Sequence, residues 1–305
     1  MRWKGRRRSD NVVDSRGSGR VAYPRGARVR VPRGGGPDGV RRAGAGTLVL
    51  FAVAALLLWA FAGINPLRLA EILAGDPVAT GRPADVPRVP NAADDERVAF
   101  LSVVLAETED SWERIFRRNG GTYDPPTLHV YADFIQSACG LGSAAAGPFY
   151  CPADETIYID LSFFDLLERR FEAPGDFAMA YVLAHEVGHH VQHETGVLEA
   201  YHAERARAGQ RRGALLGIAI ELQADCYAGV WAHYADRIGI LEEGDVEEAM
   251  TAAASVGDDM IQLRERGYVV PETFSHGTAK QRSGWFLRGY RRGDPGTCDT
   301  RDGAG

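Results

Sequence analysis

A chain of 305 residues with 45% hydrophobic and 9% aromatic residues can bury a sizeable core, which excludes a wholly disordered protein. The formal net charge of -6 is an average, since residues 1 to 43 carry 13 Lys and Arg against 3 Asp and the other residues are acidic overall. This asymmetry also excludes a chain that is globular from end to end.

The basic segment, residues 1–43, is rich in Arg and Gly with scattered Pro. It offers too little apolar surface for a packed core, so we predict a disordered cytoplasmic tail. An Arg/Gly tail is also suited to nucleic acid, but attraction to anionic lipid and the setting of membrane orientation require only its charge. We therefore expect no specific nucleic-acid partner.

An apolar segment without charge or Pro comes next, TLVLFAVAALLLWAFAGI at residues 47–64. With its flanking residues it reaches about 20 residues, which at ~1.5 Å each crosses a hydrocarbon core of ~30 Å. We predict one transmembrane helix at 44–65 that binds the lipid bilayer. A cleaved signal peptide is the alternative, although its apolar part is usually only ~7–15 residues long. Because basic segments stay cytoplasmic, we expect a single-pass protein of the cell membrane with a cytoplasmic N-terminus and with the acidic remainder, residues 65–305, outside the cytoplasm.

The remaining chain contains a linker and one α+β domain that is mainly helical. Five prolines in residues 66–92 predict an extended linker, followed by the domain at 93–296 and a C-terminal tail at 297–305. The segments TLHVYAD (127–133) and TIYID (156–160) are rich in β-branched and aromatic residues and predict a small antiparallel sheet. Helical periodicity predicts helices at 94–118, 161–171, 176–194, 198–208, 214–237, 243–255, 257–266 and 278–290.

Four cysteines, Cys139, Cys151, Cys226 and Cys298, lie in the part expected outside the cytoplasm, where disulfides persist. Four cysteines allow three connectivities. Cys139 and Cys151 flank a Gly/Ala-rich stretch that suggests a closed loop, so we favour Cys139–Cys151 and Cys226–Cys298. Buried free thiols are the alternative for the second pair, because Cys226 is predicted in the middle of a helix.

The sequence HEVGH at residues 185–189 has the spacing of a metal site. His185 and His189 stand at i and i+4, so a helix places both rings on one face, where a zinc ion can bind them. Glu186 then lies beside the metal, in the position of a general base. A histidine-rich surface helix is the alternative, but the preceding FAMAYVLA is apolar and predicts a buried helix.

A third ligand is expected elsewhere, because a catalytic zinc usually has three protein ligands and one open position. The segment IELQADCYAG, residues 220–229, places Glu221 and Asp225 at i and i+4 on an otherwise apolar helix. Burying such acids is costly unless they are paired or metal-bound. We predict one Zn²⁺ per chain, with Glu221 as its third ligand. Asp225 would fix the tautomer of a ligand histidine, with an ordinary buried hydrogen-bonding role as the alternative.

These motifs resemble those of known zinc peptidases. HExxH followed by ExxxD on a later helix is similar to the gluzincin arrangement. The segments MRWKGRRRSDNVVDSRG, GPFYCPADETIYIDLSFF, HEVGHHVQ and ELQADCYAGVWA resemble the neutral zinc metallopeptidases of bacteria. The resemblance implies a zincin-like domain and a zinc-dependent peptidase. A long Arg/Gly insertion after Gly17 departs from the family pattern and leaves the role of the tail open.

The segment SHGTAKQR near the C-terminus resembles the HPxxxxR stretch of the membrane-bound heat-shock and prenyl-protein peptidases, with Gly277 where those have Pro. By this resemblance His276 would donate to the oxyanion, and Arg282 would orient the active-site wall or a substrate carbonyl. A loop at a helix N-terminus with a solvated Arg is the alternative. Tyr227 and Tyr234 are competing oxyanion donors.

The sequence therefore predicts a membrane-anchored zinc metallopeptidase in which Glu186 acts as general base on a metal-activated water. We expect a peptide or protein substrate, bound as an added strand along a sheet edge near residues 128–160. The alternative is a membrane-anchored binding or scaffold protein whose zinc only stabilises the fold. A structural zinc usually has four protein ligands, whereas the sequence offers three ligands and a base, which favours the enzyme.

Overall fold

Helices dominate the residues that the computed structural model describes, which are 1–17, 91–143 and 147–300. Every helix predicted within these residues is present, and its ends differ from the prediction by at most four residues. The helices in these ranges are α1 Ala92–Arg118, α2 Ser162–Phe171, α3 Asp176–Glu194, α4 Val197–Arg207, α5 Gln210–Arg237, α6 Asp245–Ser255, α7 Asp258–Arg266 and α8 Ala279–Arg292.

Side-chain caps set the N-terminal ends of two helices, α1 and α8. The side chain of Asn91 accepts a hydrogen bond from the Asp94 N–H and caps α1. At α8, Thr278 and Gln281 form a capping box, in which each side chain bonds the backbone of the other residue. These caps satisfy N–H groups that the helices themselves leave without partners.

The strands in the described ranges are β1 Val12–Asp14, β2 Thr127–Tyr131, β3 Phe134–Ser137, β4 Gly140–Ser143, β5 Phe149–Cys151 and β6 Thr156–Asp160. Four of them form a mixed sheet in the order β1-β2-β6-β5, and β3 and β4 form a separate hairpin. The predicted antiparallel pairing of 127–133 with 156–160 is wrong, because Leu128 lies opposite Ile157 in a parallel pair. The connection between them contains a hairpin and an added strand, so it is long enough to return the chain to the same end of the sheet.

Residues 1–17 are part of this fold, so the prediction of a disordered tail is wrong for them. β1 pairs in parallel with β2, and the Leu128 N–H donates to the Asn11 carbonyl oxygen at 2.8 Å. Trp3 packs edge-on against Phe100 of α1, with ring centroids 5.5 Å apart. The rest of the predicted tail, residues 18–43, lies outside the described residues.

Arginines of residues 1–17 form ion pairs with glutamates of α1. The composition of residues 1–17 alone does not predict these pairs. Arg6 Nε lies 2.6 Å from Glu107, and Arg7 lies 2.9 Å from Glu109. Both glutamates are mostly buried. A charged segment that would be solvated in isolation is therefore held by complementary charge on a folded surface.

The pairing of β1 with β2 bears on membrane topology. The predicted transmembrane helix at 44–65 and linker residues 66–90 lie outside the described residues, and the described helices include none able to span a bilayer. Because β1 and β2 are hydrogen-bonded, residues 1–17 belong to the same folded unit as the domain at 91–300. The placement of the tail and the domain relative to a membrane stays a prediction.

The C-terminal tail is predicted to begin at residue 297, but residues 298 and 300 are packed into the folded domain. Cys298 and Thr300 are fully buried, and the Thr300 hydroxyl donates to the Ala219 carbonyl oxygen of α5 at 2.6 Å. Both preferred disulfides are present, Cys139–Cys151 and Cys226–Cys298. The second disulfide ties the end of the described chain to the middle of α5.

The helices α3 and α5 cross closely at the centre of the unit. A side-chain carbon built on Gly188 would lie 2.9 Å from the Ala224 carbonyl oxygen, closer than two such atoms can approach. The glycine inside HEVGH therefore allows this contact. Because Ala224 lies between the two acidic residues of α5, the crossing sets those carboxylates against the histidines of α3.

Candidate metal centre

Two histidines of α3 and one glutamate of α5 meet in a partly buried group. His185 Nε2 lies 3.3 Å from one carboxylate oxygen of Glu221, and His189 Nε2 lies 3.6 Å from the other. One potential ligand atom from each residue falls within 4.8 Å of the others. The i, i+4 spacing on α3 brings the rings together, with centroids 4.8 Å apart.

This group fits a zinc ion in its donor types and in the orientation of its rings. Two imidazoles and one carboxylate are a known ligand set for a catalytic zinc, which keeps a further position open. The Nδ1 atom of each ring is occupied by another partner, Asp225 for His185 and Gln192 for His189. Each Nε2 atom is therefore the one that faces Glu221.

Neighbouring charges shift the pKa values of His185 and Glu221. Burial would lower the pKa of His185, but the carboxylates of Asp225 and Glu221 outweigh burial and raise it to about 10. Burial would raise the pKa of Glu221, but His189 and His185 lower it well below its usual range. Glu221 is therefore ionised, and positive charge at this point is favoured.

Asp225 holds one side of the centre together. Its fully buried carboxylate accepts hydrogen bonds from His185 Nδ1 at 2.8 Å and from the Tyr181 hydroxyl at 2.6 Å. Arg282 of α8 donates to both oxygens, at 2.9 and 3.0 Å. Burial would raise the pKa of Asp225, but Arg282 and His185 lower it. The buried arginine differs from the solvated arginine of the alternative interpretation.

Glu186 lies next to the histidines and is itself buried. The residue is 7% exposed, and its Oε2 atom is buried without a hydrogen-bond partner in the described part of the chain. Burial raises the pKa of Glu186, while the neighbouring His189 and His185 oppose this. A buried carboxylate oxygen without a partner is costly unless a further group binds there, which fits a water or substrate atom beside a metal.

His276 lies at the mouth of the centre and is held by a residue that the sequence analysis did not single out. Asp258, the first residue of α7, accepts hydrogen bonds from the backbone N–H groups of Ser275, His276 and Gly277. Its other oxygen lies 3.1 Å from His276 Nδ1. This bond raises the pKa of His276. The spacing of 18 residues carries no local signal, so only the fold reveals the pair.

The competing tyrosines occupy other positions. Tyr227 is buried in the core against Trp112, with ring centroids 5.4 Å apart. Tyr234 contacts Arg118 at the surface through its hydroxyl. Among the three candidate oxyanion donors, His276 alone lines the cleft described next.

A cleft of about 810 Å³ surrounds the centre. Its walls are largely apolar and include Val182 of α3, Leu198 of α4 and Phe274. Strand β5, the edge of the sheet, forms one side through Phe149 and Tyr150. The cleft therefore joins the edge strand β5 to the candidate metal ligands.

His190 fixes that edge strand to α3. Its Nε2–H donates to the Asp124 carbonyl oxygen at 2.6 Å, and Nδ1 lies 3.0 Å from the Tyr150 hydroxyl. Burial lowers the pKa of His190, so the ring stays neutral and can accept from the hydroxyl. His190, which follows HEVGH directly and points away from the candidate metal position, thus connects β5 to α3.

A second group of acids, Asp176, Asp245 and Glu248, also has oxygens close enough for a cation. The Met1 ammonium contacts two of them, at 3.1 Å from Asp176 and 3.4 Å from Asp245. The group is therefore already paired with a positive charge, and it contains no histidine.

Comparison with known proteins agrees with this chemistry. The family model described as "Putative neutral zinc metallopeptidase" matches residues 1–301. The chain belongs to this family. Within the chain, the match to the neutral zinc metallopeptidases covers β1 as well as the metal centre.

Relatives of similar length occur in Escherichia coli and Mycobacterium tuberculosis. The protein YpfJ of Escherichia coli K12, described as uncharacterized, is 44% identical over 300 residues, 98% of each chain. The protein Rv2575 of Mycobacterium tuberculosis H37Rv, also described as uncharacterized, is 41% identical over 236 residues, 74% of this chain and 78% of its own. No solved structure matches the chain.

Proposed function

We propose that this member of the neutral zinc metallopeptidases hydrolyses peptide bonds with one zinc ion held by His185, His189 and Glu221. The observation that carries the proposal is the convergence of these three side chains beside the buried, unpartnered oxygen of Glu186. Three ligands and a neighbouring base are typical of catalytic rather than structural zinc.

Zinc, when bound there, supplies a Lewis acid that polarises the substrate carbonyl and acidifies an attacking water. Glu186 accepts the proton of that water at its free oxygen and then donates it to the leaving amine. His276 donates a hydrogen bond to the developing oxyanion, a contribution that is typically ~10²–10³ in rate. Asp225 and Arg282 keep His185 in the required orientation.

The substrate is a peptide or protein in an extended conformation. β5 is hydrogen-bonded to β6 on one side only, so its other edge can pair with a substrate strand in the cleft. Backbone pairing orders the peptide beside Glu186, and the apolar walls of the cleft bind its side chains.

Attachment to the cell membrane through residues 44–65 is a further part of the proposal, supported by their uncharged apolar sequence. A single crossing would separate β1 from β2, so the proposed attachment leaves residues 1–17 and 91–300 on one side of the membrane. The two disulfides support a position of the catalytic domain outside the cytoplasm. Because β1 pairs with β2, residues 1–17 accompany the domain. Epitopes placed in the exposed turn at residues 4–5 and after residue 300 should be equally accessible to protease on intact cells; opposite accessibility would contradict this arrangement.

The activity is tested with the full-length chain in detergent. Casein or a peptide library should be hydrolysed, chelator should abolish hydrolysis, and zinc should restore it. Glu186→Gln should keep stoichiometric zinc and lose activity by ~10²–10⁴-fold, whereas Glu194→Gln on the same helix should retain it. A fully active Glu186→Gln protein refutes the mechanism. Zinc that raises the melting temperature of an inactive wild type would favour the scaffold alternative.

A further inference from the structure

His189 is held by a chain of side-chain amides that ends at a disulfide. His189 Nδ1–H donates to Gln192 Oε1 at 2.9 Å, and Gln192 Nε2 donates to Gln223 Oε1 at 3.0 Å. Gln223 Nε2 in turn donates to the backbone carbonyl oxygen of Cys298 at 3.0 Å. Cys298 is bonded to Cys226 of α5, three residues beyond Gln223. The chain thus runs from the metal ligand to the C-terminal segment.

The direction of each hydrogen bond follows from the last acceptor. A backbone carbonyl can only accept, so Gln223 must present its NH₂ group to Cys298 and its oxygen to Gln192. Gln192 must then present its NH₂ group to Gln223 and its oxygen to His189. The ring of His189 therefore carries its proton on Nδ1, and the lone pair of Nε2 points to the metal position.

The chain is shielded from water, which makes the amides hard to replace. Gln192 and Cys298 are fully buried, and Gln223 is 7% exposed. A second hydrogen bond, 2.8 Å from Gln192 Nε2 to the Ile220 carbonyl oxygen, ties the amide to the residue before Glu221. Loss of one amide would leave buried polar groups unpaired and would free the His189 ring to rotate.

The two ligand histidines are supported differently. His185 is backed by the ionised carboxylate of Asp225, whereas His189 is backed by a neutral amide. A neutral partner fixes the ring and its tautomer without adding charge to a centre that already contains Glu221 and Asp225. Orientation is therefore the property that Gln192 provides.

We propose that Gln192 and Gln223 are positioning residues for His189, and that the Cys226–Cys298 disulfide fixes the carbonyl oxygen on which they depend. The proposal rests on the proposed metal centre but not on peptide hydrolysis. The disulfide then stabilises metal binding as well as the fold.

The first test measures metal affinity in the full-length chain without substrate. Gln192→Leu and Gln223→Leu should each weaken zinc binding by ~10–100-fold in competition with a chelator, and should alter the visible spectrum of the Co²⁺-loaded protein. The matched control is Gln262→Leu, because Gln262 is buried and hydrogen-bonded to Thr273 and Val270 but touches no ligand. It should lower the melting temperature and leave metal affinity and the Co²⁺ spectrum unchanged.

The second test compares the two disulfides. Replacing Cys226 and Cys298 together by Ala should weaken zinc binding, while replacing Cys139 and Cys151 together should not. Adding Gln223→Leu to the first variant should cause little further loss, because both changes break the same chain.

Wild-type affinity and Co²⁺ spectra in both glutamine variants would overturn the proposal. An equal loss of affinity in the Gln262 or Cys139/Cys151 controls would also overturn it, since general destabilisation would then explain the result. If the Cys226/Cys298 variant does not fold, the glutamine variants decide alone. A wild type that binds no zinc would instead refute the proposed function.

Discussion

The substitution Asp225→Asn tests the electrostatic design of the centre. Asparagine has almost the shape of aspartate but replaces one acceptor oxygen with an NH₂ donor. One oxygen of Asp225 accepts from His185 and Tyr181, and the other accepts from Arg282. Either orientation of the asparagine amide therefore sets a donor against a donor and leaves the buried guanidinium without its counter-charge.

The expected loss of stability follows from the burial of Asp225 and Arg282, which are 0% and 5% exposed. Breaking a buried ion pair by removing one partner typically costs ~3–5 kcal/mol. At about 2–4 °C per kcal/mol for a domain of this size, the melting temperature should fall by roughly 6–20 °C. Because the carboxylate also orients His185, zinc affinity should fall by about 10–100-fold.

The two effects are separated by measuring stability on metal-free protein and affinity by chelator competition, since bound metal would itself raise the melting temperature. The matched variant is Asp225→Asn with Arg282→Met, which removes the unpaired cation. It should regain part of the stability while zinc affinity stays low. A single Asp225→Asn variant with wild-type stability and affinity would refute the reasoning.

Three further predictions concern ligands, pH and the N-terminal strand. His185→Ala and Glu221→Ala should each reduce zinc well below one per chain by elemental analysis, and full occupancy in both would remove the ligand assignment. The hydrogen bond to Asp258 raises the pKa of His276, so the protonated donor persists to higher pH and is lost as pH rises through that pKa. Asp258→Asn should therefore move the alkaline limb of kcat/KM to lower pH, and an unchanged profile would contradict this role. Val13→Pro removes a ladder hydrogen bond to β2 and should lower the free energy of unfolding by about 1–3 kcal/mol in thermal unfolding, whereas Val13→Thr should not. Equal stability of the Pro and Thr variants would argue against the pairing of β1 with β2.

Features with a local period were predictable from the sequence. The helices follow from apolar spacing and from Gly and Pro breaks, and α3 has the bounds predicted for it. The i, i+4 spacing within HEVGH and within the ExxxD segment likewise places two side chains on one helix face before any tertiary contact forms. The family itself was recognisable, because the motifs extend over most of the chain.

The direction of the strands, the docking of the N-terminal segment and the partners of several polar side chains were not predictable, since no period or propensity encodes these contacts between distant segments. The parallel direction of β2 and β6 depends on the path of the connecting chain, and the docking of residues 1–17 depends on carboxylates of α1. Asp258 and the amides of Gln192 and Gln223 act across loops or between helices, so their partners appear only in the fold.

The sequence by itself determined which side chains can bind a metal, because ligand type and helical spacing are local properties. Only the tertiary structure decided how those side chains are oriented, and which candidate donor lines the cleft. The reason is physical: a hydrogen bond or a buried ion pair requires two groups at a set distance, and the packing of α3, α5 and α8 sets that distance.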